Sequence, residues 1–258
     1  MGIVNLTPDS FSGDGLAGNG EQAIAHARAQ IAAGADILDL GAESSRPGAQ
    51  PVSADEEIAR LLPVLAAMKD CGVPLSVDTC KPAVMLAALA AGADMINDIT
   101  GFTDPAAIAA VADSNCALCI MHMQGEPRSM QSAPHYQNVT AEVSAFLSDR
   151  VAACQAAGID RGRIVIDPGF GFGKTLTHNL ELFRHLPNFE RMSLPLLVGI
   201  SRKSMLGAIT GKPVNERLAA SISAALLAAQ RGATILRVHD VAATRDALAV
   251  WAAIEKDF

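Results

Sequence analysis

The sequence predicts an α/β protein folded as a single (β/α)8 TIM barrel over residues 1–258. Eight short apolar segments alternate with alanine-rich helical segments along the whole chain,. The strand candidates are continuous apolar runs, which is typical of parallel strands covered on both faces. Eight β/α units fit the 258 residues, and no linker rich in Pro, Gly or Ser divides them,. An open doubly wound sheet is the alternative, but it would need fewer strands or a longer chain.

Each element can be placed in order along the chain. The predicted strands are residues 2–6, 36–41, 73–78, 94–99, 117–122, 163–168, 195–201 and 234–239. The predicted helices lie near residues 21–33, 54–70, 82–91, 105–113, 139–157, 176–186, 214–231 and 242–256. Ser53 as a cap and Pro82 and Pro105 in first turns indicate where helices begin. Gly34, Gly92 and Gly232 precede strands and indicate helix ends that need a left-handed residue.

Composition excludes several classes of protein. Hydrophobic residues make up 50% and charged residues 18%, so the chain can bury an extensive core and is not disordered,. No uncharged run exceeds 13 residues, whereas a membrane-spanning helix needs roughly 20 apolar residues. The net charge of −7 argues against a nucleic-acid surface,. We therefore expect neither a membrane nor a nucleic acid as partner, and the amino terminus carries no visible secretion signal.

The cysteines indicate a reducing compartment. Five cysteines spread through the chain do not form a disulfide framework,. Cys116 and Cys119 form a lone CxxC pair inside an apolar strand-like run, so we interpret them as buried side chains rather than a metal or redox site. Cytoplasm is the expected location.

Polar side chains follow the predicted strands, where TIM barrels carry their catalytic residues. They are Asn5, residues 43–46, Asp78, Asn97, Asp98, His122, Asp167, residues 201–204, Arg237 and His239. Stability alone does not require polar groups at one end of every strand, so these residues define the candidate site.

The carboxylates and cations at these strand ends suggest two kinds of binding. Asp78, Asn97, Asp98 and Asp167 could accept hydrogen bonds from a ligand with several N–H groups, since an ionised carboxylate only accepts. A lone carboxylate could instead cap the next helix, and Asp98 has that option. Arg237 and His239 alternate onto one face after the last strand, which is the strongest indication of an anion site.

Other strand ends leave alternatives open. Arg46 and Arg202 are either solvated or face an anion, and His122 is interpreted as a packed histidine. Asn5 opens a long polar loop of turn residues, which is either simply flexible or a lid with Asn5 as a ligand for Mg²⁺.

The glycine-rich segment 167–175 is not a nucleotide P-loop, because Pro168 stands where that motif requires its first glycine,. Its glycines would let the backbone approach a flat ligand, with Phe172 available for stacking.

Taken together, the strand-end motifs resemble bacterial dihydropteroate synthases, in order and over essentially the whole chain. The matching segments are residues 5–12, 43–48, 77–79, 96–99, 121–125, 167–174, 199–204 and 237–240. The resemblance implies an alkyl-transferring TIM barrel that joins 6-hydroxymethyl-7,8-dihydropterin diphosphate to p-aminobenzoate in folate synthesis. It also implies a homodimer, through the C-terminal helices, and inhibition by sulfonamides.

The resemblance also assigns the residues. Asp78, Asn97, Asp167 and Lys203 would bind the pterin, and Arg237 and His239 would hold the diphosphate with Mg²⁺ at Asn5. The aminobenzoate pocket would be shaped by Phe172 and Ser204, together with the loop residues Ser45, Arg46, Pro47 and Phe11. Asp78, Asp167, Lys203, Arg237 and His239 would then be catalytic.

Three features depart from the family pattern. Ser45 replaces the usual Thr, and Asp14 is shifted by one position in the first loop, which puts its role in doubt. The family segment that covers the barrel bottom is expected to be absent.

Two alternative functions and one expected binding order complete the sequence-based hypotheses. A pterin-dependent methyltransferase would share the ring-binding carboxylates, and a non-catalytic paralogue would lack some of the strand-end residues. If the first two loops close over the site, p-aminobenzoate should bind tightly only after pterin and diphosphate with Mg²⁺ are present.

Overall fold

The chain folds into a closed barrel of parallel strands surrounded by helices. The structure is a computed structural model that describes residues 1–6, 16–43, 51–126 and 129–255, with the backbone alone for residues 16–19. Over these segments the eight strands are β1 Gly2–Asn5, β2 Leu38–Gly41, β3 Leu75–Asp78, β4 Met95–Asp98, β5 Ala117–Met121, β6 Ile164–Asp167, β7 Leu197–Val198 and β8 Ile235–Leu236. The predicted single TIM barrel is confirmed.

Strand pairing follows the order of the chain. β1 to β6 form one parallel sheet, and β7 pairs with β8. Two bridges join these sheets, Ile166 with Leu196 and Gly2 with Val238. The amide of Val238 donates to the carbonyl of Met1 at 3.0 Å, so the last strand returns to the first and closes the barrel.

The helices lie between the strands, as expected for a βα repeat. They are α1 Leu16–Ala32, α2 Ala54–Met68, α3 Pro82–Ala90, α4 Pro105–Ala112, α5 Val139–Ala156, α6 Leu176–Arg184, α7 Ser204–Thr210, α8 Leu218–Ala229 and α9 Val241–Glu255. Ser53 caps α2 by accepting from the amide of Glu56 at 3.2 Å, as predicted,. In the described segments, no helix combines the length and hydropathy needed to cross a membrane.

One predicted helix is wrong at its start. The segment 214–231 begins with a 3-10 turn, Val214–Glu216, and becomes α-helical at Leu218. A short helix that was not predicted, α7, follows β7. Gly211 ends α7 with a φ of 70°, which separates it from α8,.

The core has two layers. The larger one packs the outer faces of the strands against the helices. A small apolar cluster fills the barrel interior and comprises Met1, Met95, Cys119, Val165 and Leu197. All five cysteines are free thiols, with Cys116 and Cys119 buried as predicted. Polar side chains then occupy the barrel interior above this cluster, towards the carboxyl ends of the strands,.

Candidate active site

Four neighbouring strands present a row of positions at the carboxyl end of the barrel. The strand register aligns Asn5 with Gly41, Gly41 with Asp78, and Asp78 with Asn97. Gly41 contributes no side chain, and a Cβ there would lie 3.6 Å from Asp78 Cβ and 3.9 Å from Asn5 Oδ1. The missing side chain therefore leaves Asn5 and Asp78 facing each other across a small gap.

A fully buried carboxylate, Asp39, accepts hydrogen bonds from side chains on neighbouring strands. Its Oδ1 accepts from Ser76 Oγ at 2.6 Å, and its Oδ2 accepts from Arg237 Nε at 2.6 Å and from Asn97 Nδ2 at 3.4 Å. Arg237 also donates from Nη2 to Asp78 Oδ2 at 2.9 Å. The guanidinium that follows β8 is thus oriented by carboxylates on β2 and β3.

Asp39 was not predicted as a site residue, although the sequence contains a signal for it. Asp39 lies within an apolar strand, two residues before Gly41, and so shares its inward face,. A carboxylate at such a position requires a buried partner, since burying an unpaired charge is costly. The cation on the last strand, Arg237, is that partner.

Burial and neighbouring charges shift the pKa values of Asp78 and Arg237. Burial raises the pKa of Asp78 to about 7, and the positive charge of Arg237 opposes the rise,. Burial alone would lower the pKa of Arg237, but Asp39 and Asp78 outweigh it and raise the pKa. Asn97 Oδ1 is buried and has no hydrogen-bond partner among the described residues. The cluster therefore presents acceptors suited to a ligand with N–H groups.

A second group lies at the ends of β6 and β7. Asp167 is buried, and its Oδ1 accepts from the amide of Gly169 at 2.7 Å. Lys203 Nζ donates to the carbonyl of Phe170 at 2.5 Å and lies 4.7 Å from the centroid of the Phe172 ring,. This arrangement places a carboxylate acceptor, an ammonium donor and an aromatic face beside one another.

Electrostatic interactions connect the two groups. Burial raises the pKa of Asp167, and Lys203 opposes that rise. Burial lowers the pKa of Lys203 to about 8, with Asp167 opposing, so the ammonium is still mostly charged at pH 7,. The charges of Arg237 and Asp78 also shift the pKa of Lys203, in opposite directions. The Asp78 cluster and the Lys203 group are therefore electrostatically coupled.

The glycines of segment 167–175 are explained by close packing of the backbone. Gly169, Gly171 and Gly173 have φ values of 70°, 80° and 62°. A Cβ on Gly169 would collide with the carbonyl oxygen of His122, and one on Gly173 with that of Gln124,. The close approach is therefore to the segment after β5. The predicted approach to a flat ligand remains a prediction.

The remaining strand-end residues have varied environments. His239 Nδ1 lies 3.1 Å from Ser201 Oγ, and Ser204 is exposed at the start of α7. Arg202 pairs with Asp240 through two nitrogens, at 3.0 Å and 2.5 Å, so its guanidinium is bound to a carboxylate. Asp98 accepts from the amides of Thr100 and Phe102 at 2.7 Å and 2.8 Å and stabilises the turn after β4. It does not cap the next helix, because Asp104 caps α4 by accepting from the amide of Ala106.

The structure thus brings Asn5, Asp78, Asn97, Asp167, Phe172, Lys203 and Arg237 to one end of the barrel, with His239 following the same strand end as Arg237. Ser45, Arg46 and Pro47, as well as Phe11 and Asp14, lie outside the described residues. A cavity of about 400 Å³ lies at the opposite end, where Met1, Asp36 and Trp251 line it. It contains none of the candidate residues.

The described residues offer few ligands for a metal ion. Among the residues that the structure describes, no group of three or more His, Cys, Asp or Glu side chains is arranged to hold a metal ion. Asn5 offers a neutral amide oxygen at the end of β1. This oxygen faces Asp78 across Gly41, which has no side chain. Such an oxygen fits Mg²⁺ that is bound mainly by substrate phosphates.

Comparisons with known proteins show the family to which the chain belongs. A family described as "Pterin binding enzyme" matches residues 1–239. A dihydropteroate synthase of Neisseria meningitidis serogroup C is 51% identical over 259 residues, covering 98% of this chain and 92% of the relative.

Two solved structures are similar over nearly the whole chain. Burkholderia cenocepacia dihydropteroate synthase complexed with 7,8-dihydropteroate has a TM-score of 0.90 and 53% identity, covering 98% of this chain and 90% of that one. The Yersinia pestis enzyme in complex with a sulfonamide drug has a TM-score of 0.94 and 45% identity, covering 98% and 93%. The chain therefore belongs to the pterin-binding enzyme family and, within it, to the dihydropteroate synthases.

Proposed function

We propose that this chain joins 6-hydroxymethyl-7,8-dihydropterin diphosphate to p-aminobenzoate and releases 7,8-dihydropteroate and diphosphate. The observation that carries the proposal is the set of acceptors at the barrel mouth, the buried Asn97 Oδ1 and Asp167 and the partly buried Asp78, next to the ammonium of Lys203. A heterocycle rich in N–H groups, with ring acceptors as well, matches that set. Membership of the dihydropteroate synthases supports the same substrate pair.

Each group of residues has a proposed part in binding. Asp78, Asn97 and Asp167 accept from the pterin ring, and Lys203 donates to its acceptors. Phe172 and Ser204 contact the p-aminobenzoate, together with Ser45, Arg46 and Pro47, which lie outside the described residues. Arg237 and His239 bind the diphosphate, and Asp39 and Asp78 hold the Arg237 guanidinium in its orientation.

The reaction is an alkyl transfer in which electrostatic stabilisation dominates. The bond from the pterin methylene carbon to the diphosphate oxygen breaks, and the leaving oxygen takes the electron pair. The amine nitrogen of p-aminobenzoate forms the new bond and then loses a proton. Arg237 and His239 stabilise the departing anion, while Asp78 and Asp167 favour positive charge on the pterin. No strong base is required, because a neutral aromatic amine is already a nucleophile.

Mg²⁺ is the proposed cofactor, with Asn5 Oδ1 as the ligand from this chain. When bound, the ion supplies positive charge against the diphosphate oxygens. Asn5 follows β1 and is aligned with Gly41, so its oxygen lies on the same side of the barrel mouth as Asp78.

One assay tests the activity and separates it from the alternatives. The folded protein is incubated with both substrates and Mg²⁺, and mass spectrometry detects 7,8-dihydropteroate while a coupled assay follows diphosphate. We expect both products. A pterin-dependent methyltransferase would release no diphosphate, and a folded sample that makes no dihydropteroate would contradict the enzyme proposal.

The pKa of Asp78 predicts how pterin affinity depends on pH. Since burial raises this pKa to about 7, the carboxyl is increasingly protonated below that pH and cannot accept from the pterin through both oxygens,. The Kd for the pterin should therefore rise as pH falls from 8 to 6, by up to about tenfold per unit below 7 for one proton.

Calorimetric titration of the pterin at pH 6, 7 and 8 measures this dependence. The Asp78→Asn variant is the control, because it has no proton to lose and should show a flatter dependence with weaker binding at pH 8. The same Kd at all three values in the unmodified protein would contradict the assignment of Asp78.

We also propose a homodimer that forms through the C-terminal helices. Supporting this, Leu218 and Leu227 on α8 and Val250 and Ile254 on α9 expose large apolar side chains,. Light scattering at micromolar concentration should give about twice the chain mass of 26.7 kDa,. Leu227→Glu should shift the mass towards the monomer, whereas Leu86→Glu, at an exposed position on α3, should not. A monomer for the unmodified protein would contradict the proposal.

Sulfonamide inhibition and a cytoplasmic location belong to the same proposal. The sulfonamide complex of the Yersinia pestis relative supports the first. The five free thiols are consistent with the second,.

A further inference from the structure

The segment between β6 and α6 is held by side chains rather than by a strand or helix ladder. Each of the five carbonyl oxygens from residue 169 to residue 173 accepts a hydrogen bond from a side chain. Lys174 donates to Gly169 and Phe172, Lys203 to Phe170, Gln131 to Gly171, and Tyr136 to Gly173. The conformation of this segment therefore depends on a few donors, and Lys174 supplies two of these bonds.

Lys174 carries a buried amine whose pKa burial lowers to about 7, with Asp167 opposing the shift, so the amine is partly protonated at pH 7,. Its side chain is 3% exposed. Its Nζ donates to the carbonyls of Gly169 at 2.9 Å and Phe172 at 3.0 Å. Its third short contact, 2.9 Å, is to His122 Nδ1 at the end of β5. Burial lowers the pKa of His122 to about 3, so the ring is neutral and Nδ1 can accept,.

The two aromatic residues of this segment depend on Lys174 to different degrees. The Phe170 ring is fully buried and packs edge to face on Phe183, with centroids 5.8 Å apart. The carbonyl that binds Lys203 is therefore fixed by core packing as well. The Phe172 ring is only partly buried and faces Lys203, so its position follows that of its own backbone. That backbone is bound at its carbonyl by Lys174.

We propose that Lys174 is a positioning residue for the p-aminobenzoate side of the site, which it serves by holding the backbone of Phe172. The inference rests on the proposed function, in which Phe172 contacts p-aminobenzoate. Lys174 lies beneath the segment, bound to His122 and to backbone carbonyls, and so acts through Phe172. Loss of its amine would leave the Phe172 carbonyl and His122 Nδ1 without this partner and free the Phe172 carbonyl to move, whereas the Gly169 carbonyl would keep its bond from the Phe172 amide,.

The test compares the two substrates in Lys174→Met and Lys174→Gln. For Lys174→Met we expect the KM for p-aminobenzoate to rise about tenfold or more, as a small displacement of a substrate-contacting group can cause. The Kd for the pterin, measured by calorimetry without p-aminobenzoate, should change less than about threefold, because Phe170 still orients Lys203. Lys174→Gln keeps amide donors on a shorter side chain and should give an intermediate KM.

A control variant separates positioning from loss of stability. Val64→Ala removes buried side-chain atoms from α2, away from this segment, and should lower Tm without changing either substrate constant,. If Lys174→Met does not fold, Lys174→Gln carries the test. Unchanged KM for p-aminobenzoate in the folded variants, or an equal change for both substrates, would overturn the positioning role. An unmodified protein that makes no dihydropteroate would instead contradict the proposed function.

Discussion

Replacing Asp39 by asparagine is expected to lower the free energy of unfolding by about 3–5 kcal/mol, the cost of removing one partner from a buried ion pair. Asp39 is fully buried and accepts from Arg237 Nε at 2.6 Å and from Ser76 Oγ at 2.6 Å. The asparagine would leave the guanidinium with Asp78 as its remaining carboxylate partner. The donors Arg237 Nε and Ser76 Oγ, which now bind a carboxylate, would then face either an amide N–H₂ group or a single neutral oxygen. Denaturant unfolding at pH 7 measures the difference.

A second Asp–Arg pair, at the opposite end of the barrel, provides a control. Asp36 precedes β2 and pairs with Arg245 of α9 at 2.9 Å, but its side chain is 74% exposed. Asp36→Asn should therefore cost only about 0–1 kcal/mol, as is typical of exposed pairs. Equal small losses in both variants would mean that the Asp39 cluster does not contribute to stability beyond an ordinary surface pair.

The comparison of Asp39 with Asp78 shows what the sequence could and could not predict. Asp78, Asn97 and Asp167 each end an apolar run, and the barrel fold places strand ends together, so their positions in the site followed from the pattern alone. Asp39 lies inside its strand, and its role depends on Arg237, which is 198 positions away. A single sequence does not show which distant charge a buried carboxylate meets.

The same limit applies to the backbone between β6 and α6. Pro168 in place of the first glycine excluded a P-loop, but the reason for Gly169 and Gly173 is contact with the carbonyls of His122 and Gln124. That contact depends on how the segments after β5 and β6 pack together. Helix α7 was missed for a related reason, because a seven-residue helix is too short for its periodicity to be distinguished from a loop,.

Replacing Asp167 by asparagine is expected to weaken pterin binding by about 1.5–3 kcal/mol, or about 10- to 150-fold, without a comparable loss of stability. Asp167 is buried at the end of β6, where Lys203 opposes the rise in its pKa and helps to keep the carboxylate charged. One oxygen accepts from the amide of Gly169 at 2.7 Å, and an asparagine oxygen can keep that bond. The other acceptor would become an N–H₂ donor facing the donors of the pterin ring, so the loss should appear in ligand affinity.

Asp160 offers a control at the opposite end of the same strand. Its Oδ1 accepts from the amide two residues ahead, Gly162, at 2.6 Å, just as Asp167 does from Gly169. Because Asp160 precedes β6 and is exposed, Asp160→Asn should leave the pterin Kd unchanged. Calorimetric titration of the pterin into both variants decides the point, because each substitution removes a carboxylate that accepts from the amide two residues ahead, one at each end of β6. Wild-type affinity in Asp167→Asn would mean that this carboxylate does not contact the ring, and the acceptor role would then fall to Asp78 and Asn97.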